Sequence, residues 1–97
     1  MSRDNKFIVL DIGTTGVKAL VFSDDLEIVA EAYQSLVRIT PKQDWVEQDP
    51  SQYLAASQSV LQQALQESGV DRSNIVGLGI TNQRETTILW DKQTGKP

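Results

Sequence analysis

The sequence predicts an α/β chain: a three-stranded antiparallel meander, one helix, a further strand and an incomplete last hairpin. Three observations predict it. A short apolar run at residues 7–10 and a strand pattern at residues 17–22 each close on a turn cluster, Gly13-Thr14-Thr15-Gly16 and Asp24-Asp25. Helix-start signals at Asp49-Pro50 precede an apolar repeat at three- and four-residue spacing. A last continuous apolar run, residues 75–80, reads as another buried strand.

Taken in order, Phe7-Ile8-Val9-Leu10 runs into Asp11 and the glycine-threonine turn, which suits a central strand entering a tight loop. Residues 17–22 resume a strand pattern, and Ile28-Val29-Ala30-Glu31-Ala32-Tyr33 supplies the third strand. Residues 40–44 read as a loop. Asp49 is placed as N-cap, Pro50 at the first helical position, where no amide partner is needed, and Gln52 for a capping box. Tyr53, Leu54, Ser57, Val60, Leu61, Ala64 and Leu65 form one apolar stripe, and Gly69 can end the helix in the left-handed conformation. The helix is expected over about residues 50–68. After the strand at 75–80, the polar Asn82-Gln83-Arg84-Glu85 interrupts, residues 86–90 resume a strand, and residues 91–95 form a hairpin turn. The partner strand of that turn is missing, so a truncated domain is expected over residues 1–97, with no second domain.

Composition bounds the function. With 39% hydrophobic and 23% charged residues the chain is an ordinary globular sequence, and its length allows one small domain burying about two-thirds of its unfolded surface. No apolar run approaches the roughly 20 residues of a membrane helix. The net charge of −4 is spread along the chain and the nine basic residues do not cluster, which argues against a nucleic-acid surface. Cysteine and histidine are absent, so chemistry must come from carboxylates, hydroxyls, amides, Lys and Arg. The polar opening residues carry too short an apolar stretch for a signal peptide, so a cytoplasmic location is expected.

Two constellations could carry chemistry. In Asp11-Ile12-Gly13-Thr14-Thr15-Gly16-Val17-Lys18, Gly13 and Gly16 permit positive φ and close approach of a ligand, so successive amides can face phosphate oxygens. Thr14 and Thr15 add hydroxyl donors, Asp11 could hold magnesium, and Lys18 offers a positive charge to a phosphate. The octamer lacks the Walker spacing and joins two strands, so a plain hairpin turn is the alternative. In Gln83-Arg84-Glu85, a donor fork and an acceptor sit side by side, as a polyol requires, but strand neighbours point to opposite faces. Both could meet one ligand only if the chain leaves strand geometry there, and an exposed loop is the alternative. Trp45 and Trp90 read as packing residues.

Together these segments resemble the FGGY carbohydrate kinase family. The resemblance is carried by Asp11 to Thr15, by Trp45-Val46-Glu47-Gln48-Asp49-Pro50, and most specifically by Gly79-Ile80-Thr81-Asn82-Gln83-Arg84-Glu85-Thr86-Thr87. It implies a partial first lobe of the ribonuclease H/actin-like ATPase fold, and ATP-dependent transfer of a phosphoryl group to a primary hydroxyl of glycerol or a related polyol, with magnesium. It further implies that Thr14, Thr15, Gly16 and Lys18 meet nucleotide phosphates and that Arg84 and Glu85 hydrogen-bond the polyol. The catalytic base and adenine pocket would lie beyond residue 97, so no catalytic residue is expected here, and the 97 residues alone should be inactive. The loop variant with Ile12, Gly16, Val17 and Lys18 is more like that of xylulose- or gluconate-type kinases, which keeps a sugar substrate open. A non-catalytic binding lobe and a homo-oligomeric parent also stay open.

Overall fold

The computed structural model describes residues 5–83 and 86–97. Strands β1 (Lys6–Ile12), β2 (Gly16–Ser23) and β3 (Ile28–Ser35) form the expected meander, followed by helix α1 (Pro50–Ser68), a 3₁₀ turn at Arg72–Asn74 and strand β4 (Ile75–Thr81). The sheet order is β3-β2-β1-β4. Short turns make β1–β2 and β2–β3 antiparallel, whereas the crossover through α1 brings β4 in parallel to β1.

Both ends of α1 form as the sequence indicates. Asp49 Oδ1 accepts from the Ser51 amide at 2.9 Å, and Gly69 closes the helix at φ 66°. The capping box does not close: the same Asp49 oxygen is shared with Ser51 Oγ, and among the described residues Gln52 reaches Asp49 only through its own amide, to the carbonyl.

Alternation along the strands puts Ile8, Leu10, Val17, Ala19, Val21 and Ala32 on the face that meets Ala56, Val60 and Ala64 of α1. Alanines on both sides let helix and sheet approach closely. Leu54 is displaced from this stripe and is 63% exposed. Six residues separate it from Val60, which rotates it by about 120° around the axis, and Ala56 takes the place in the core that Leu54 was expected to fill.

Two further expectations are corrected. Residues 86–90 form no strand, because nothing among the described residues offers them a ladder of hydrogen bonds. The turn after them does form, with Asp91 Oδ1 accepting from the amides of Gln93 and Thr94. Trp45 and Trp90 are exposed rather than packed; the contact Trp45 makes is with the Lys42 ammonium, 4.7 Å from its ring centroid. No helix among the described residues is long and apolar enough to cross a membrane.

A loop with inward carbonyls at the end of the sheet

The parallel pairing of β1 with β4 places Asp11 opposite Thr81, so the residues that follow each strand emerge at the same end of the sheet. Register on the other side sets Asp11 opposite Lys18 and Lys18 opposite Tyr33. Tyr33, Lys18, Asp11 and Thr81 therefore form one row across four strands, on the face away from α1. Thr81 Oγ1 donates to Asp11 Oδ1 at 2.6 Å, which leaves the second carboxylate oxygen for another ligand. Among the described residues no three acidic side chains cluster. An ion at Asp11 would thus have one protein carboxylate, a hard oxygen donor of the type that fits magnesium.

The turn between β1 and β2 is closed by the Gly13 amide donating to the Gly16 carbonyl at 2.9 Å. Its next three carbonyls are all engaged by the protein. Gly13 O lies 3.1 Å from Tyr53 Oη and accepts from Gln83 Nε2 at 3.3 Å. Thr14 O accepts from Gln48 Nε2 at 2.8 Å, and Thr15 O from the Leu36 amide at 2.9 Å. A trans peptide is planar, with its carbonyl and the following amide pointing in opposite directions, and no cis peptide is present among the described residues. Drawing the Gly13, Thr14 and Thr15 carbonyls inward therefore aims the amides of Thr14, Thr15 and Gly16 outward. Among the described residues the amides of Thr14 and Thr15 find no acceptor. Successive amides without a protein acceptor are the feature that an anion-binding loop requires.

The glycines serve this loop differently from the sequence-based reading. Neither Gly13 nor Gly16 has positive φ. Gly16 is needed for space: a Cβ there would collide with the Tyr33 hydroxyl, lie 2.6 Å from Tyr33 Cζ and 2.5 Å from the Gln34 carbonyl oxygen. The tight contact is thus to the neighbouring strand.

Gln48 and Tyr53 are the residues that sequence reasoning missed. Tyr53 Oη donates to Gln48 Oε1 at 2.7 Å and accepts from Gln83 Nε2 at 2.6 Å, and Thr86 Oγ1 donates to Gln83 Oε1 at 3.0 Å. The signal for Tyr53 was its place on the apolar stripe of the first helical turn, where a part-buried phenol needs a polar partner. Gln48 was visible only as part of the Trp-Val-Glu-Gln-Asp-Pro segment. Of the residues expected to touch ligand, Asp11, Gly13, Thr14, Thr15, Gly16, Lys18 and Gln83 gather at this end of the sheet. Arg84 and Glu85 lie outside the described residues.

Residues 6–97 match the N-terminal domain of the FGGY family of carbohydrate kinases. The chain is 46% identical over 93 residues to a glycerol kinase of Shewanella woodyi, covering 95% of this chain and 19% of that protein. The solved structure of Plasmodium falciparum glycerol kinase with ADP superposes with a TM-score of 0.80 at 28% identity, over 96% of this chain and 19% of that one. A xylulose kinase of Rhodospirillum rubrum gives a TM-score of 0.74 at 27% identity, over 82% of this chain and 16% of that one. The chain spans about a fifth of the length of the curated relatives it matches.

Proposed function

Since the chain belongs to the FGGY family of carbohydrate kinases, we propose that it is the amino-terminal part of the first domain of an ATP-dependent kinase that phosphorylates a primary hydroxyl of glycerol or a related polyol. One observation carries the reading furthest: a loop with outward amides at Thr14 and Thr15 lies at the same end of the sheet as Gln83, the residue just before Arg84 and Glu85. A phosphoryl donor and an acceptor hydroxyl must meet in line, so their binding segments have to converge.

In this reading the amides of Thr14, Thr15 and Gly16 and the hydroxyls of the two threonines cradle the nucleotide phosphates, with Lys18 as a point charge beside them. The free oxygen of Asp11 holds magnesium directly or through water. When bound, magnesium neutralises charge that builds on the phosphate oxygens. Arg84 donates to adjacent hydroxyls of the polyol and Glu85 accepts from them, which orients one primary hydroxyl toward the terminal phosphate. The proton of that hydroxyl goes to a carboxylate outside these residues. The 97 residues alone accordingly carry no turnover, and the reading includes a cytoplasmic location for the complete protein.

A second reading, a xylulose- or gluconate-type kinase, is favoured by Gly16, Val17 and Lys18 in the loop. The test is the complete protein assayed with ATP and a panel of polyols, ketoses and sugar acids, alongside Arg84→Ala. Glycerol should be phosphorylated most efficiently, and Arg84→Ala should raise the acceptor KM at least about tenfold while shifting the ATP KM little. Equal shifts in both constants would remove Arg84 from the acceptor pocket, and preference for a ketose or sugar acid would establish the second reading. A complete protein with no phosphoryl transfer would leave a non-catalytic lobe.

A further inference from the structure

Gln48 sits between two anchored points of the chain. Glu47 exchanges both backbone hydrogen bonds with Ile39, each at 2.7 Å, and Asp49 caps α1 through the Ser51 amide. The side chain that leaves this short stretch is half-buried, and both ends of its amide are engaged. Nε2 donates to Thr14 O at 2.8 Å, and Oε1 accepts from Tyr53 Oη at 2.7 Å. A peptide carbonyl accepts and cannot donate, so this is the orientation of the Gln48 amide in which both contacts are hydrogen bonds. Tyr53 is held in turn, its ring against the core beneath α1 and its hydroxyl accepting from Gln83 Nε2 at 2.6 Å.

The three peptide planes of the loop are held by three different donors. The Leu36 amide fixes the Thr15–Gly16 plane at 2.9 Å, and Gln83 fixes the Gly13–Thr14 plane at 3.3 Å. Gln48 fixes the Thr14–Thr15 plane with the shortest of the three contacts. The N–H of that plane belongs to Thr15, which finds no acceptor among the described residues. Every one of these bonds is internal to the protein, so the fold sets the direction of the Thr15 N–H. We propose that Gln48 is a positioning residue for phosphate: oriented by Tyr53, it fixes the Thr14–Thr15 peptide so that the Thr15 amide meets a nucleotide phosphate oxygen already aimed. A donor fixed in advance spares the ordering cost that a mobile loop would bear on binding. The effect is specific to phosphate, because a nucleoside without phosphates offers that amide nothing to bind.

This role rests on the nucleotide half of the kinase reading above, and its test separates the two. In the complete protein, with magnesium, the dissociation constants of a non-hydrolysable ATP analogue and of adenosine are measured by calorimetry. Gln48→Met keeps the length of the side chain and removes the donor to Thr14 O. It should weaken the ATP analogue about tenfold, the scale of a misdirected charge-assisted hydrogen bond, and leave adenosine within about twofold. Tyr53→Phe deletes the hydroxyl that orients the Gln48 amide, and should give a loss of about threefold confined likewise to the analogue. A glutamine that serves stability alone would weaken both ligands alike, or lower the melting temperature with both affinities intact, and either result in Gln48→Met overturns the positioning role. Should the methionine variant not fold, Tyr53→Phe decides, and an unchanged ratio of the two dissociation constants there overturns the role. A wild-type protein that binds neither ligand overturns the kinase reading, and the positioning role with it.

Discussion

Adding a single methyl group at Gly16 tests whether the loop glycine serves the nucleotide or the sheet. The new Cβ would lie 2.5 Å from the Gln34 carbonyl oxygen and 2.6 Å from Tyr33 Cζ, where ordinary contact begins at 3.4 Å. The shortfall of about 0.9 Å is against backbone as well as ring, so a rotamer change of Tyr33 cannot relieve all of it, and β2 and β3 must separate. Overpacking against an unyielding neighbour costs about 1–3 kcal/mol, and the backbone clash places Gly16→Ala near 3 kcal/mol. A chain of this size has only about 5–15 kcal/mol in total. Thermal unfolding of the 97-residue chain followed by circular dichroism should therefore show Gly16→Ala melting about 12–24 °C lower. Gly77→Ala is the internal control: its Cβ would meet Phe7 Cδ1 at 3.4 Å, an ordinary contact, and should stabilise by about 0.5 kcal/mol. In a Tyr33→Ala background the cost of Gly16→Ala should shrink but persist, because Gln34 O is unaffected. A Gly16→Ala chain melting within about 3 °C of wild type would refute the steric reasoning.

Two other substitutions bear on the framework around the site. Leu26, exposed in the β2–β3 turn, holds φ at 65°, and Leu26→Gly should stabilise the chain by about 0.5–1 kcal/mol, with an unchanged or lower denaturation midpoint counting against the strain. The Asp49 carboxyl is held below the usual carboxylate range, chiefly by the Ser51 hydroxyl and then by the Ser51 amide. A depressed folded value means that the stabilisation is present above about pH 4 and lost as pH falls below it. Asp49→Asn keeps a capping oxygen and removes the charge. Its denaturation midpoint should change less than wild type between pH 5 and pH 3, roughly the range spanning ordinary aspartate titration, and an identical slope would exclude Asp49 as a contributor.

The features that the sequence conveyed well are those set by neighbours along the chain. Asp49, Pro50 and Gly69 mark the ends of α1 because capping is chemistry within a few residues. Short turns made the meander legible for the same reason. Residues 86–90 show the limit: an apolar, β-branched run does not become a strand without a partner ladder, and none is present among the described residues. Trp45 shows another, since a large apolar side chain packs only where the fold brings a surface to it, and here it meets the Lys42 ammonium in the open.

For the site, the sequence by itself determined which chemical groups are available: a threonine pair between two glycines, one carboxylate at a strand end, a lysine seven residues after that carboxylate, and Gln83 before Arg84 and Glu85. Only tertiary structure decided how they are used. The contacts that turn the loop carbonyls inward span 34 residues from Thr14 to Gln48, 40 from Gly13 to Tyr53 and 70 from Gly13 to Gln83. The closeness that requires glycine at position 16 comes from Tyr33 on the next strand. Hydrogen bonding and excluded volume act over a few ångströms in space, so residues distant in sequence become partners only after the sheet order β3-β2-β1-β4 and the crossover through α1 have been fixed.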